Sequence, residues 1–315
     1  MNPEIFAEWH RRRGTQVLRT ESSWWHQQGP RAYQAFPYHW VITPAEAELR
    51  QFMWQYQALA LRYSTPMEAA TGYMSYHAVY EGNDYDISQL GKWARKNIRH
   101  GLKTCGVEEI SFTDLAREGL ALQLDTLNRQ GRSVPATQKW WDDLTMGAAD
   151  LPGFRAWAAR VEGKLAASVI TFQMDNTIYM LYQQCLRQYL PLHVNNALGY
   201  EVTKQVLSTE GIKGVLYGLH SLDAPASVDE FKFRMGYHPK PVRQRVLFHP
   251  LASPFMNNVT HKAIRLIQRY RPNQPTLAKL EGMLRFYLEG LRDHSQQTVP
   301  LHLRNAISDS EDQEP

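Results

Sequence analysis

Cross-linking chemistry is nearly missing from this chain: among 315 residues there are 2 cysteines. Cys105 and Cys185 stand far apart, with no CxxC or Cys/His spacing around either, so neither a disulfide scaffold nor a zinc site is expected. Nowhere do ~18 apolar residues run together, which leaves no bilayer span, and the charged stretch from Met1 to Thr20 lacks the apolar run of a signal segment. These absences set the expectation at a cytoplasmic protein. HExxH, a phosphate loop ending in Gly-Lys-Ser/Thr, GxGxxG and GxSxG are also missing. Their absence weakens the case for a metalloprotease, a nucleoside triphosphatase, a dinucleotide enzyme and a serine hydrolase. The 12 histidines are scattered, and His10, His26, His39 and His77 sit beside aromatic residues without metal-ligand spacing, so no metal is expected.

What is present is an ordinary globular composition, 43% hydrophobic with 11% aromatic, enough to bury a sizeable core. A formal charge of +4 favours an anionic ligand or surface without arguing for nucleic acid. Thr43-Pro44-Ala45-Glu46 reads as a capping box opening a helix over 44–60, and 72–80 as a strand rich in Tyr. Asp86 opens a basic helix through Lys103. From Gly106 onward strands and helices alternate. Strands are expected over 107–112, 154–161, 165–174, 177–186, 215–219 and 242–248; helices over 113–129, 138–146, 194–208 and 228–235. Glu162-Gly163-Lys164 and Asp175-Asn176 supply the turns of two tight hairpins. Beyond Pro250 two amphipathic helices flank the break 272–275, and the acidic stretch 308–315 reads as disordered. No sequence repeat is visible.

The segment Glu230-Phe231-Lys232-Phe233-Arg234-Met235-Gly236-Tyr237, in this order of strands and helices, resembles the GNAT acyltransferases and more narrowly their FemAB/FemX and CelD/BioF-like branch. Arg95, Ile98 and Gly106 resemble the linking helix of that branch. The resemblance covers about 85 to 248, and residues 1–84 are assigned to a first half by position. It implies an α/β fold, a mixed sheet flanked by helices in two GNAT-like halves, with a C-terminal helical hairpin. The expected division is 1–105 for a divergent N-terminal half with the basic helix, 106–250 for the acyltransferase domain, 251–297 for the hairpin and 298–315 for a disordered tail.

The implied activity is acyl or aminoacyl transfer to an amine or hydroxyl, from acyl-CoA or aminoacyl-tRNA, onto a small molecule or a cell-envelope or polysaccharide precursor. Two departures qualify it. The Gly-rich pyrophosphate turn of ordinary GNAT proteins is replaced by 187–196, which lacks those glycines, as the FemAB branch does. The helix start near Pro191 still offers free N–H groups, and Arg187 adds charge. Lys232 stands where many GNAT enzymes carry a proton-donating Tyr. The arm that FemAB-type enzymes often use for tRNA is not visible.

Lys232 and Tyr217 are thus the candidate catalytic residues. Gln183, Gln184, Arg187, Val194, Asn195 and Asn196 are the candidate donor-binding set, and Arg95, Arg99 and Tyr182 the acceptor-binding set. Gln183 and Gln184 are polar in an otherwise apolar strand, which packing alone explains poorly. Ser227-Val228-Asp229-Glu230 reads as a capping box, making Asp229 and Glu230 helix-start residues. The cations Lys92, Arg95, Lys96, Arg99 and Lys103 read as a solvated face or as a steering surface for an anionic acceptor. The basic stretch 261–271 fits contact with an anionic membrane surface, although packing on the sheet is the simpler account of its apolar stripe. A rival from another class is a GNAT-like binding or assembly module without catalysis.

Overall fold

The structure, a computed structural model, describes residues 2–131, 137–223, 226–272 and 274–304. The chain forms two compact units that interleave in sequence: Met1–Arg13, Ala78–Gly218 and Pro225–His238 in one, Gly14–His77, Leu219–Ala224 and Pro239–Pro315 in the other. The contiguous division at 105 and 250 expected from the sequence does not follow these units.

In the first unit, strands Gly106–Ile110, Phe154–Val161, Lys164–Met174 and Thr177–Cys185 form an antiparallel meander. Its hairpins close as expected, with Val161 paired to Lys164 and Met174 to Thr177. Helix Val194–Leu207 then returns the chain to strand Gly214–Leu219, which runs parallel to Thr177–Cys185. One face of the sheet buries Trp157, Ala159, Val169, Ile178 and Met180 with Val194, Ala197 and Leu198. The other face receives the N-terminal helix Pro3–Arg12, whose Phe6 ring meets Phe172 at 5.1 Å and whose Trp9 indole donates to the Leu144 carbonyl at 2.9 Å. This helix is capped by Asn2 with Pro3 in its first turn, a start signal in a stretch where no element is expected from the sequence.

The basic segment divides where Asp86 caps a single 3₁₀ turn, Ile87–Gln89, and the helix proper is Lys92–Thr104. The helix expected over 113–129 also divides, at Gly119, into Phe112–Glu118 and Leu120–Arg129, and Ser111 caps the first of them. Helix Lys92–Thr104 crosses helix Val194–Leu207 at Gly101, where an added Cβ would lie 2.5 Å from the His193 carbonyl oxygen and 2.9 Å from the Ala197 Cβ. Backbone cannot give way as a side-chain tip can. Gly101→Ala is therefore expected to cost about 1–3 kcal/mol, read as a lower urea midpoint.

In the second unit, strands Val17–Arg19, Trp24–Gly29 and Ala32–Phe36 are antiparallel, Ala60–Thr65 runs parallel to Ala32–Phe36, and His238–Phe248 pairs antiparallel with Ala60–Thr65 from residue 243 onward. The strand expected to finish the 106–250 sheet thus serves the other unit. The helix between the parallel strands is Glu46–Tyr56; it starts at Ala45 without a side-chain cap and stops at Gln57 in the left-handed region, so Thr43 caps nothing. It covers Trp25, Tyr33, Leu61 and Tyr63. The expected hairpin is present as Asn258–Tyr270 and Pro275–Gly290. The described residues 298–304 include the buried Leu303, which contradicts a disordered tail from 298; the acidic stretch 308–315 lies outside the described residues.

Each unit therefore repeats one motif: antiparallel strand pair, helix, and a strand parallel to the second. In each, the parallel pairing lasts three rows, Ala32–Gln34 with Ala60–Arg62 and Thr177–Tyr179 with Gly214–Leu216. The repeat lives in topology, and the side chains that fill the two copies differ.

The second unit buries a polar row in which the Arg62 guanidinium donates to Gln244 Oε1 at 3.0 Å, Gln244 donates to Ser64 Oγ, and Ser64 Oγ lies 2.7 Å from His77 Nε2. Burial, with His39, Arg62 and Lys240 nearby, pushes the His77 pKa down from 6.5 to about 3. Between those values the unfolded chain binds a proton that the folded chain refuses. Stability from this group is complete above 6.5 and is lost as pH falls toward 3. Urea midpoints across that range should fall for the parent and fall less for His77→Gln.

Candidate functional site

The pairing of Thr177–Cys185 with Gly214–Leu219 ends at Tyr179 and Leu216, although both strands continue, so the two diverge. On the opposite edge of Thr177–Cys185 the register slips: Ser168 pairs with Gln184 and Ile170 with Leu181, leaving Tyr182 and Gln183 opposite Val169. Tyr182 takes a φ of +50°, and the resulting bulge aims Gln183 and Gln184 to opposite sides of the sheet.

Gln183 enters the divergence. Its Nε2 donates to Asn195 Oδ1 at 2.9 Å, and its Oε1 accepts from the Tyr217 hydroxyl. Lys232 Nζ lies 5.5 Å from the centre of the Tyr217 ring, and Tyr237 meets that ring edge-on at 5.0 Å while its own hydroxyl bonds Thr203. Burial raises the Tyr217 hydroxyl well above its ordinary value of 10.0, with Tyr237 adding to the shift, so at neutral pH it keeps its proton. Lys232 is buried and paired with Asp229, Nζ to Oδ1 at 2.6 Å. The helix is Ala226–Arg234, so Asp229 does stand in its first turn, and beyond that expected place it holds Lys232. The three-residue spacing of Asp229 and Lys232 was the available signal, since such residues share a helix face.

Of the candidate residues, Lys232, Tyr217, Gln183 and Asn195 come together here. The others do not. Gln184 faces helix Leu120–Arg129 and donates to Gln123. Val194 is a core residue, and Asn196 is buried with its amide on the Met235 sulfur at 3.4 Å. Arg187 holds Asp125 through its backbone N–H at 2.6 Å. Tyr182 accepts from Arg13 Nη2 at 2.8 Å beside Trp9 and Trp140. Arg95 donates to the Ser88 carbonyl at 3.2 Å, and Arg99 is exposed on the same basic helix.

Helix Val194–Leu207 begins after His193, which has a left-handed φ of +56° and makes no side-chain cap. The His193 ring lies 5.2 Å from that of His100, and its pKa is lowered by burial and by the neighbouring His100 and Lys96. An uncapped helix start flanked by these groups can receive an anion. His193 was not a candidate in the sequence, because its position depends on the crossing at Gly101.

No protein-family model matches the chain, and no curated protein matches its sequence. Among solved structures the fold is similar to that of FemX, with TM-score 0.54 and 9% identity over 79% of this chain and 92% of that one. It is also similar to the C-terminal DUF2156 domain of a putative lysylphosphatidylglycerol synthetase from Agrobacterium fabrum, with TM-score 0.51 and 12% identity over 77% of this chain and 86% of that one. The fold is therefore shared with FemX and with that C-terminal domain, as the α/β expectation of a mixed sheet flanked by helices requires. Among the described residues no helix is long and apolar enough to cross a membrane.

Proposed function

We propose that the chain transfers an acyl or aminoacyl group to an amine or hydroxyl acceptor at the diverging strands of its first unit. The observation that carries this reading is the convergence there of a protonated phenol, an ammonium and an ordered amide: Tyr217, Lys232 and Gln183. Attack on a donor carbonyl builds an oxyanion and expels a thiolate or an alkoxide. Burial keeps the Tyr217 hydroxyl neutral, so it can protonate the leaving atom once its proton turns from Gln183 Oε1, which holds it in the resting site and is itself braced by Asn195. The proton lost by the acceptor passes to solvent. The Lys232 ammonium supplies positive charge near the same point. The donor's anionic part, phosphates of CoA or of tRNA, fits the start of helix Val194–Leu207 beside His193, His100 and Lys96. The exposed cations of helix Lys92–Thr104 suit an anionic acceptor of envelope-precursor type.

The test is a thermal-shift screen against CoA, acetyl-CoA, longer acyl-CoAs and aminoacyl-tRNA, where a ligand at about a hundred times its Kd stabilises by about 2.7 kcal/mol. With the donor in hand, Tyr217→Phe should lower kcat by about a hundredfold while leaving donor affinity near the parent's. Arg95→Ala with Arg99→Ala should raise the acceptor KM, and added salt should imitate it. A second reading, a binding module without catalysis, draws on the self-satisfied state of the site, where Asp229 already holds Lys232 and Tyr217 already bonds Gln183. Ligand binding with no transfer would favour it.

A further inference from the structure

Helix Asn258–Tyr270 turns its apolar side outward. The residues that meet the protein are Thr260, His261, Ile264 and Gln268, three of them polar. His261 Nε2 pairs with Glu281 at 2.8 Å, and the Gln268 amide donates to the Leu277 carbonyl at 3.5 Å. Only Ile264 is buried. At about 100° per residue, Leu266, Val259, Tyr270, Ala263 and Ile267 fall on a single arc of about 100° on the other side. These side chains stand in solvent: Val259 is 77% exposed, Tyr270 80%, Leu266 52% and Ile267 49%. Packing on the sheet, the simpler account from sequence, therefore does not explain the stripe. The turn that feeds the helix adds Leu251 at 68% and Phe255 at 66%.

Charge identifies what the stripe meets. Lys262, Arg265 and Arg269 are exposed along one border of the arc, Arg271 follows, and no acidic residue occurs from 258 to 271. A second copy meeting this patch about a two-fold axis would set cations against cations. A nucleic-acid backbone would satisfy the cations and leave the aliphatic stripe against phosphate. A lipid surface satisfies both, because apolar side chains enter the boundary between headgroups and acyl chains while the flanking cations meet lipid phosphates. We infer that this helix docks the protein, lying flat, on an anionic bilayer surface. The inference is independent of the transfer reading, since it draws on a different unit and on no catalytic residue.

Vesicle flotation of the full chain tests it, with phosphatidylcholine alone and with phosphatidylcholine containing phosphatidylglycerol. The parent should float with the anionic vesicles, stay behind with the neutral ones and be released by salt. Lys262→Gln, Arg265→Gln and Arg269→Gln together should lower the partition coefficient by roughly a hundredfold, at the weight of about one decade or less per basic residue at such surfaces. Leu266→Ser with Tyr270→Ser should abolish flotation in a protein whose thermal midpoint matches the parent's, because both side chains are exposed. Equal flotation with neutral vesicles, or flotation unchanged in both variants, overturns the inference. So does a lipid-free dimer in sedimentation that Leu266→Ser with Tyr270→Ser dissociates in place of any lipid binding.

Discussion

Lys232→Met should lower stability by about 3–5 kcal/mol, the effect of removing one partner from a buried ion pair. Lys232 and Asp229 are 7% and 6% exposed and stand 2.6 Å apart on one turn of helix Ala226–Arg234. Methionine keeps the length of the stem, so packing survives and the loss comes from the carboxylate deprived of its ammonium. From sequence alone the same substitution is expected to cost about 1 kcal/mol or less, on condition that the amine is not held in an ion pair; the pair removes that condition. Adding Asp229→Asn to Lys232→Met should restore most of the stability, and the non-additivity of the two changes measures the pair. Urea unfolding of parent, single and double variants is the measurement. A single variant within about 1 kcal/mol of the parent would mean that the ammonium works without the carboxylate, leaving transfer as its main role.

Gly236→Val is expected to cost about 2–4 kcal/mol, combining backbone strain with overpacking. Gly236 follows the end of helix Ala226–Arg234 with a φ of +87°, as the Met-Gly-Tyr pattern predicts. Its N–H donates to the Phe233 carbonyl and that of Tyr237 to the Lys232 carbonyl, the pair of bonds that closes a helix through a left-handed residue. A Cβ there would lie 2.5 Å from Leu90 Cδ2, a buried side chain with little room to withdraw. Because Lys232 lends its carbonyl to this closure, the damage should reach the site: kcat should fall along with the urea midpoint. A valine variant as stable as the parent would show that the helix end can re-form without the left-handed turn.

The N-terminal half was harder to read than the rest. Helix Gln138–Met146 and the three strands from Phe154 to Cys185 come straight from local signals: a Thr cap, apolar runs of strand length and two-residue turns. Strand Ala60–Thr65 carries no such signal. All six residues are buried, polar and apolar alike, so alternation is absent; the helix expected over 44–60 overlaps it only at Ala60, and no element is expected over 61–65.

What the sequence determined by itself is therefore whatever short-range chemistry enforces: turns, caps, the left-handed glycine at 236 and the existence of an amphipathic stripe at 258–270. The tertiary structure alone decided that strand His238–Phe248 pairs with Ala60–Thr65, that Gln183 and not Gln184 meets Tyr217, and that the stripe faces water. Each of these depends on a partner distant in sequence or on a register set by one bulged residue, and in a period-2 strand a slip of one position exchanges the two faces. Periodicity reports that a helix has two sides; only the elements packed against it determine which side is buried.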